Sequence, residues 1–161
     1  MEKNEISQMV ITWGFRKKTL KESTEDLIVF LERLKRFDTR LGVWFEGGMT
    51  KKEALKNRVN LDYDCIKKIF CKKCDDNDNA KLSFKLKFWN GDPVDLLSYS
   101  IIISIGGFRV GNNVIMFSFP KDGEIYKHYC IKENWENLLE LFIDHWKPDN
   151  YRDFDDNLIE L

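Results

Sequence analysis

Between residues 82 and 120 the chain alternates large apolar and small or polar side chains with a period of two. Leu82, Phe84, Leu86 and Phe88 are separated by Ser or Lys, and Leu97, Tyr99, Ile101, Ile103 and Ile105 are spaced the same way, with Ser98, Ser100 and Ser104 between them. Successive side chains of a strand point to opposite faces, so each stretch sorts its apolar groups onto one side. Asn90-Gly91-Asp92-Pro93 marks a turn between them, Gly106-Gly107 and Gly111-Asn112 bracket the next, and a third strand spans 114–119 before Pro120. The pattern predicts a meander with one apolar face to be covered and one face open to water or a partner.

The flanking sequence supplies the cover. Met9, Ile11 and Trp13 alternate in a first strand ended by Gly14. Thr19 and Glu22 have capping-box spacing, and Leu20, Leu27, Phe30, Leu31, Leu34 and Phe37 follow close to a 3.6-residue period. Residues 43–46 read as a short extended piece. Thr50 and Glu53 repeat the capping box and start a small helix to about residue 57, and Asp62 caps another with Ile66, Ile69 and Phe70 inward. Residues 75–79 read as a solvated turn and 125–130 as a short strand. The last helix covers 132–146, with Trp135, Leu138, Leu139, Phe142 and Trp146 as its apolar stripe, and Pro148 stops it. The tail is acidic, yet Tyr151, Phe154 and Leu158 predict that it packs. The expected fold is α+β: a single domain over 1–161, with a mainly antiparallel sheet of about four strands (9–13, 82–89, 97–105, 114–119). The helices 20–36 and 132–146 pack on one face.

A chain of 161 residues lies within one-domain range. Its net charge of −1 argues against wholesale attraction to nucleic acid or membranes, but it hides an asymmetry. Residues 15–73 carry 16 Lys/Arg against 9 Asp/Glu, whereas 122–161 carry 4 against 11. Charge segregated in this way often marks an interaction face. The first residues show no apolar signal core, and no run approaches the ~18 apolar residues of a membrane span. With four cysteines in no secretory pattern, a reduced, cytoplasmic protein is expected.

Catalytic and metal chemistry find little support. Cys71 and Cys74 have the spacing of half a zinc site, but no second pair completes it, so no metal and no cofactor are expected. Asp75, Asn77 and Asn79 match the start of a calcium loop that fails at Ala80 and Leu86. The glycines at 106–111 precede a strand, so no helix N-terminus would receive a phosphate there. The two histidines, His128 and His145, stand beside no nucleophile, and the carboxylates spread along helix faces. The expectation is a protein that is not an enzyme. Lys85, Lys87 and Trp89 suggest a nucleic-acid sheet only loosely, because the neighbouring strand adds serines to that face.

A sequence of short motifs goes further. Trp13-Gly14-Phe15-Arg16 closes the first strand, and a capped helix follows. Then come Trp44-Phe45-Glu46-Gly47-Gly48, Phe88-Trp89-Asn90-Gly91, Asn113 opening a strand that ends in Phe119-Pro120, and Trp146-Lys147-Pro148-Asp149. In order and spacing, over about residues 9 to 150, this resembles the immunity protein 52 family of bacterial polymorphic toxin systems. The resemblance implies a small cytoplasmic protein that neutralises a cognate toxin by stoichiometric binding. The family's usual partner is a nuclease of the restriction-endonuclease fold. Trp13, Arg16, Trp44, Trp89, Asn90, Gly91 and Asn113 are the motif positions; the tryptophans also fit a core, and Asn90-Gly91 a turn.

A nuclease partner has a positive groove, and the acidic C-terminal region fits it. Glu136, Glu140 and Asp144 project from the side of the last helix opposite its apolar stripe, and Asp153, Asp155 and Asp156 extend the patch. These six are the candidate toxin-binding residues. The alternative is a non-catalytic interaction module or adaptor unrelated to toxins.

Overall fold

The period-two alternation becomes burial. Met9, Ile11, Trp13, Phe84, Leu86, Phe88, Ile101, Ile103, Ile105, Ile115 and Phe117 are all buried, and the residues between them are half-buried or exposed. The computed structural model describes residues 5–16, 18–47, 49–73, 84–105 and 113–161. It contains strands β1 (Met9–Trp13), β2 (Phe45–Glu46), β3 (Phe84–Trp89), β4 (Ser100–Ile105), β5 (Asn113–Ser118), β6 (Asn150–Arg152) and β7 (Leu158–Glu160). All pairings are antiparallel, and the seven strands form one open sheet in the order β2-β3-β4-β5-β1-β6-β7.

Register sorts the two faces. One cross-strand row runs Leu86, Ile103, Ile115, Ile11, Tyr151, Ile159 and lies on the helix side. The adjacent row runs Lys85, Ser104, Val114, Thr12, Asn150, Glu160 and points the other way. That second row begins in a cation and ends in an anion.

The helices are α1 (Leu20–Phe37), α2 (Lys51–Ala54), α3 (Tyr63–Lys73), α4 (Gly123–Tyr129) and α5 (Lys132–Trp146). The capping box forms as expected: Thr19 Oγ1 accepts from the Glu22 amide at 3.1 Å, and Glu22 Oε1 accepts from the Thr19 amide at 3.3 Å. Phe30 of α1 meets Phe142 and Trp146 of α5 edge-on, with ring centres 5.1 and 5.3 Å apart. Phe142 reaches Phe117 of β5, and Phe70 of α3 packs on Phe84 of β3 at 4.6 Å. One aromatic-rich core therefore joins three helices to the buried face of the sheet.

Four expectations are corrected. Among the described residues the sheet has seven strands where about four were expected, because β2 and the β6–β7 hairpin extend it at both ends. Residues 125–130 are not a strand. Asp122 caps α4 there, and Ile125 and Tyr129, one helical turn apart, share its inward side. Leu97 ends a 3-10 turn (Asp95–Leu97), and β4 starts only at Ser100. Phe37, counted into the stripe of α1, is 43% exposed. The turns at 75–79 and 106–112, Cys74, Leu82 and Ser83 lie outside the described residues.

Candidate functional site

The six candidate acids lie on two elements, three on α5 and three in the turn between β6 and β7. Glu136, Glu140 and Asp144 are all exposed on α5, because the 3.6-residue repeat that buries Trp135, Leu138, Leu139, Phe142 and Trp146 leaves them on the opposite side. The hairpin turn is fixed beside the start of α5 by Phe154, whose ring meets Trp135 at 5.5 Å. Leu161 lines a shallow depression with Glu140, Ile143 and Pro148. Asp153 feels the charge of Lys132, the cation that Glu136 also faces, so the turn that carries Asp153, Asp155 and Asp156 lies near the first turns of α5.

Their chemistry is not uniform. Asp144 accepts from Arg33 at 2.7 Å and from Lys147 at 3.3 Å, and these cations hold its carboxyl below the usual carboxylate range. Glu136 faces Lys132 at 3.6 Å. Asp153 organises the turn: its carboxylate accepts from the amides of Asp155 and Asn157 at 2.9 and 2.8 Å and from the Asn157 side chain at 3.2 Å. Burial pushes the Asp153 carboxyl up, and these bonds outweigh it and hold it low. Asp156 is exposed in the left-handed region at φ 66. Glu140 has no ion-pairing partner among the described residues. Glu140 and Asp156 are the acids with most charge to offer.

The motif residues build corners and seams. Trp13 stacks on Trp146 at 5.4 Å, and the Arg16 guanidinium lies 5.4 Å from the Trp13 ring centre. Arg16 also donates to the carbonyls of Trp146 (2.5 Å) and Lys147, which caps the C-terminal end of α5. Trp44 is buried, and its Nε1 donates to the Leu41 carbonyl at 3.1 Å. Trp89 is half-buried and donates to the Glu46 carbonyl at 3.3 Å, joining β3 to β2. Asn90 holds its turn by accepting from the amides of Asp92 and Tyr99 and donating to the Leu97 carbonyl. Gly91 sits at φ +76, where a Cβ would lie 2.6 Å from the Phe45 ring, so no other residue fits without strain. Asn113, buried, donates to the Gly14 carbonyl at 2.8 Å.

Two further polar clusters escape pattern reading because they join residues far apart in sequence. Asp38 takes a two-pronged bond from Arg40 (Nε and Nη2, both 2.9 Å) and a bond from the Tyr129 hydroxyl at 2.7 Å. The Tyr99 hydroxyl donates to the Arg40 carbonyl at 2.6 Å. Burial raises the Asp38 carboxyl, but the bonds from Arg40 and Tyr129 prevail and lower it; burial also pushes both phenols up. These bonds clamp the end of α1 to α4 and to the residue that precedes β4. His145 is the second. Its Nε2 lies 2.9 Å from the Asp26 carbonyl and its Nδ1 3.3 Å from Arg33 Nη1, so a neutral ring that donates through Nε2 and accepts through Nδ1 satisfies both. Burial holds its pKa below the ordinary 6.5.

At the opposite end of the sheet, a groove of about 750 Å3 follows β3, lined by Lys85, Lys87, Trp89 and Ser100 on the open face and by Leu86 and Ile69 toward the core. The alternation already placed Lys85, Lys87 and Trp89 together on this face, but not the groove itself, which depends on β2 ending after two residues. Among the described residues, no group of three or more His, Cys, Asp or Glu could hold a metal ion, and no helix is long and apolar enough to cross a membrane. Cys71 is exposed. No family model matches the chain, and no match is found among curated proteins.

Proposed function

We propose that this protein is an immunity protein that binds and neutralises a cognate polymorphic toxin, a nuclease of the restriction-endonuclease fold. It acts in the cytoplasm by stoichiometric binding, with no catalysis, cofactor or nucleic-acid contact of its own. The observation that carries this reading is the acidic flank, in which α5 and the β6–β7 turn present carboxylates on a scaffold pinned by Trp135, Phe142 and Phe154. A nuclease must present positive potential to hold phosphates, and a rigid array of acids competes for that surface while steering encounter. The motif residues then serve the frame, and Glu140, Asp156 and Glu136 serve recognition.

The proposal predicts a nuclease gene beside this one, and the test uses its product. Glu136→Lys and Glu140→Lys are combined with Asp156→Asn, since Asn tolerates the left-handed conformation. Asp144 and Asp153 are left alone because Arg33 and the hairpin turn depend on them. The melting curve should stay unchanged while association at low salt slows roughly tenfold or more, within the range that electrostatic steering contributes. Co-expression should no longer protect cells. A variant that associates and protects like the parent, or a neighbouring nuclease that the parent does not bind, rules the proposal out.

A further inference from the structure

The groove along β3 has the form of a missing strand. β2 occupies the outer edge of the sheet only opposite Trp89 and Phe88, through the pairs Phe45–Trp89 and Glu46–Phe88. Opposite residues 84–87 no described strand pairs with that edge. The direction of the backbone groups follows from the ladder. The Asn90 amide donates to Tyr99 on the β4 side, so Phe88, Leu86 and Phe84 also direct their N–H and C=O toward β4. Lys87 and Lys85 direct theirs the opposite way, into the groove. Their side chains are exposed, and neither makes an ion pair among the described residues.

We propose that the free edge of β3 is a strand-addition site for an extended segment of a partner protein in which acidic residues alternate with apolar ones. A strand laid there continues the line of β2 and takes up the edge-facing amides and carbonyls of Lys85 and Lys87. Cross-strand neighbours share a face, so the residues paired with Lys85 and Lys87 emerge beside two lysine side chains whose Cα atoms are about 6.6 Å apart. The residue between them turns inward, toward Leu86 and Ile69. Period-two alternation of acid and apolar side chains satisfies both sides. Glu46 lines the β2 end of the groove and disfavours a further acid there. Lysines on an open edge also repel lysine-bearing edges, including other copies of this one, so the same charges select the partner and prevent self-pairing. A single-stranded nucleic acid could meet the ammonium groups but has no strand-like alternation of donors and acceptors for the edge. The site lies apart from the acidic flank and does not depend on the toxin reading.

Fluorescence anisotropy with a short labelled peptide alternating Glu and Val tests this. Its competitors are a peptide of the same composition with Glu and Val in separate blocks, an alternating Lys–Val peptide, and a short oligothymidylate. The alternating acidic peptide should bind saturably and at least about tenfold more tightly than any competitor, and Lys85→Glu with Lys87→Glu should abolish binding without altering the circular dichroism spectrum. Hydrogen exchange supplies the backbone readout: the Lys85 and Lys87 amides should exchange fast in the protein alone and slow when the peptide is added, while Leu86 and Phe88 stay protected throughout. Absence of saturable binding overturns the proposal, as does equal binding of the block peptide or oligothymidylate. So does binding that survives the double reversal, or protection of Lys85 and Lys87 in the protein alone, whether from its own chain or a second copy.

Discussion

The two ends of the sheet solve the same problem in opposite ways. At one end β3 is six residues long, bonded to β4 along its whole length, and buries Phe84, Leu86 and Phe88 completely. Such a strand keeps its place without an outer neighbour, and lysines guard the side left open. At the other end β6 and β7 have three residues each and contribute only Tyr151 and Ile159 to the inward row. They hold each other through a turn built by Asp153 and are fastened by Phe154 under Trp135. An edge anchored by its own core can stay open, whereas an edge with little core must close on itself. The first arrangement leaves a basic slot, the second an acidic knuckle.

The sharpest way to break this comparison is to remove the anchors. Phe88→Ala should cost roughly 3–5 kcal/mol in a denaturant melt, as for other fully buried aromatic truncations. Phe154→Ala removes a side chain of the same size and similar burial, but the hairpin can fray while the rest of the sheet stays folded. Its global cost should be clearly smaller, and the loss should appear as faster hydrogen exchange across 150–160. Equal global costs would mean that the hairpin unfolds only with the whole sheet and is no separate edge.

A second test concerns the corner between β2 and β3. Gly91→Ala forces a Cβ at φ +76 against the Phe45 ring. About 1–3 kcal/mol should be lost, the range for a residue held in a sparsely populated backbone region. Because Phe45 is the β2 residue paired with Trp89, β2 should loosen while the β6–β7 end is unaffected. Trp89 fluorescence measured in a variant whose other tryptophans are replaced by Phe would report the change; unchanged emission together with unchanged stability would show that β2 does not depend on this turn.

The central strands were legible because Phe84, Leu86, Phe88, Ile101, Ile103 and Ile105 alternate without interruption, and nothing else accommodates that period beside Gly91 and Pro93. The hairpin was not, because a three-residue strand with one inward residue has no period to read; only the aromatic Tyr151 and Phe154 hinted that the tail packs. Residues 125–130 misled through the strand-favouring Ile125, Tyr126 and Tyr129. The acids of α5 could be placed on one side from their spacing of four. Their partners could not: Arg33 lies 111 residues from Asp144, and that contact exists only once α1 and α5 pack together. The slot at β3 was out of reach for the same reason, since it is defined by where another strand stops.

Between the two edges lies the seam of α1 and α5, and acidification should separate it from the acidic edge with the smallest of these effects. His145 is packed against Phe30 and Trp146, with Arg33, Asp26 and Asp144 around it. Burial and the Arg33 charge lower its pKa, while the Asp26 carbonyl and the carboxylates of Asp26 and Asp144 oppose them less strongly. The unfolded chain therefore takes up a proton near pH 6.5 that the folded chain still refuses, so stability falls as the pH drops below about 6.5 and levels off once the folded ring is also protonated. Asp153 behaves in the opposite sense. Its folded pKa is depressed, so its contribution persists through this window and is lost only as the pH falls below the ordinary carboxylate value of 3.8. Melting the parent at pH 7.5 and 5.5 should show a modest drop, and His145→Gln, whose amide can still donate to the Asp26 carbonyl, should show a smaller one. Exchange across 150–160, measured against the falling global stability, should not change selectively between these pH values and should accelerate only in stronger acid. A parallel drop in parent and variant would place the titrating group elsewhere, and early loss of the hairpin would show that the acidic edge, not the helix seam, yields first.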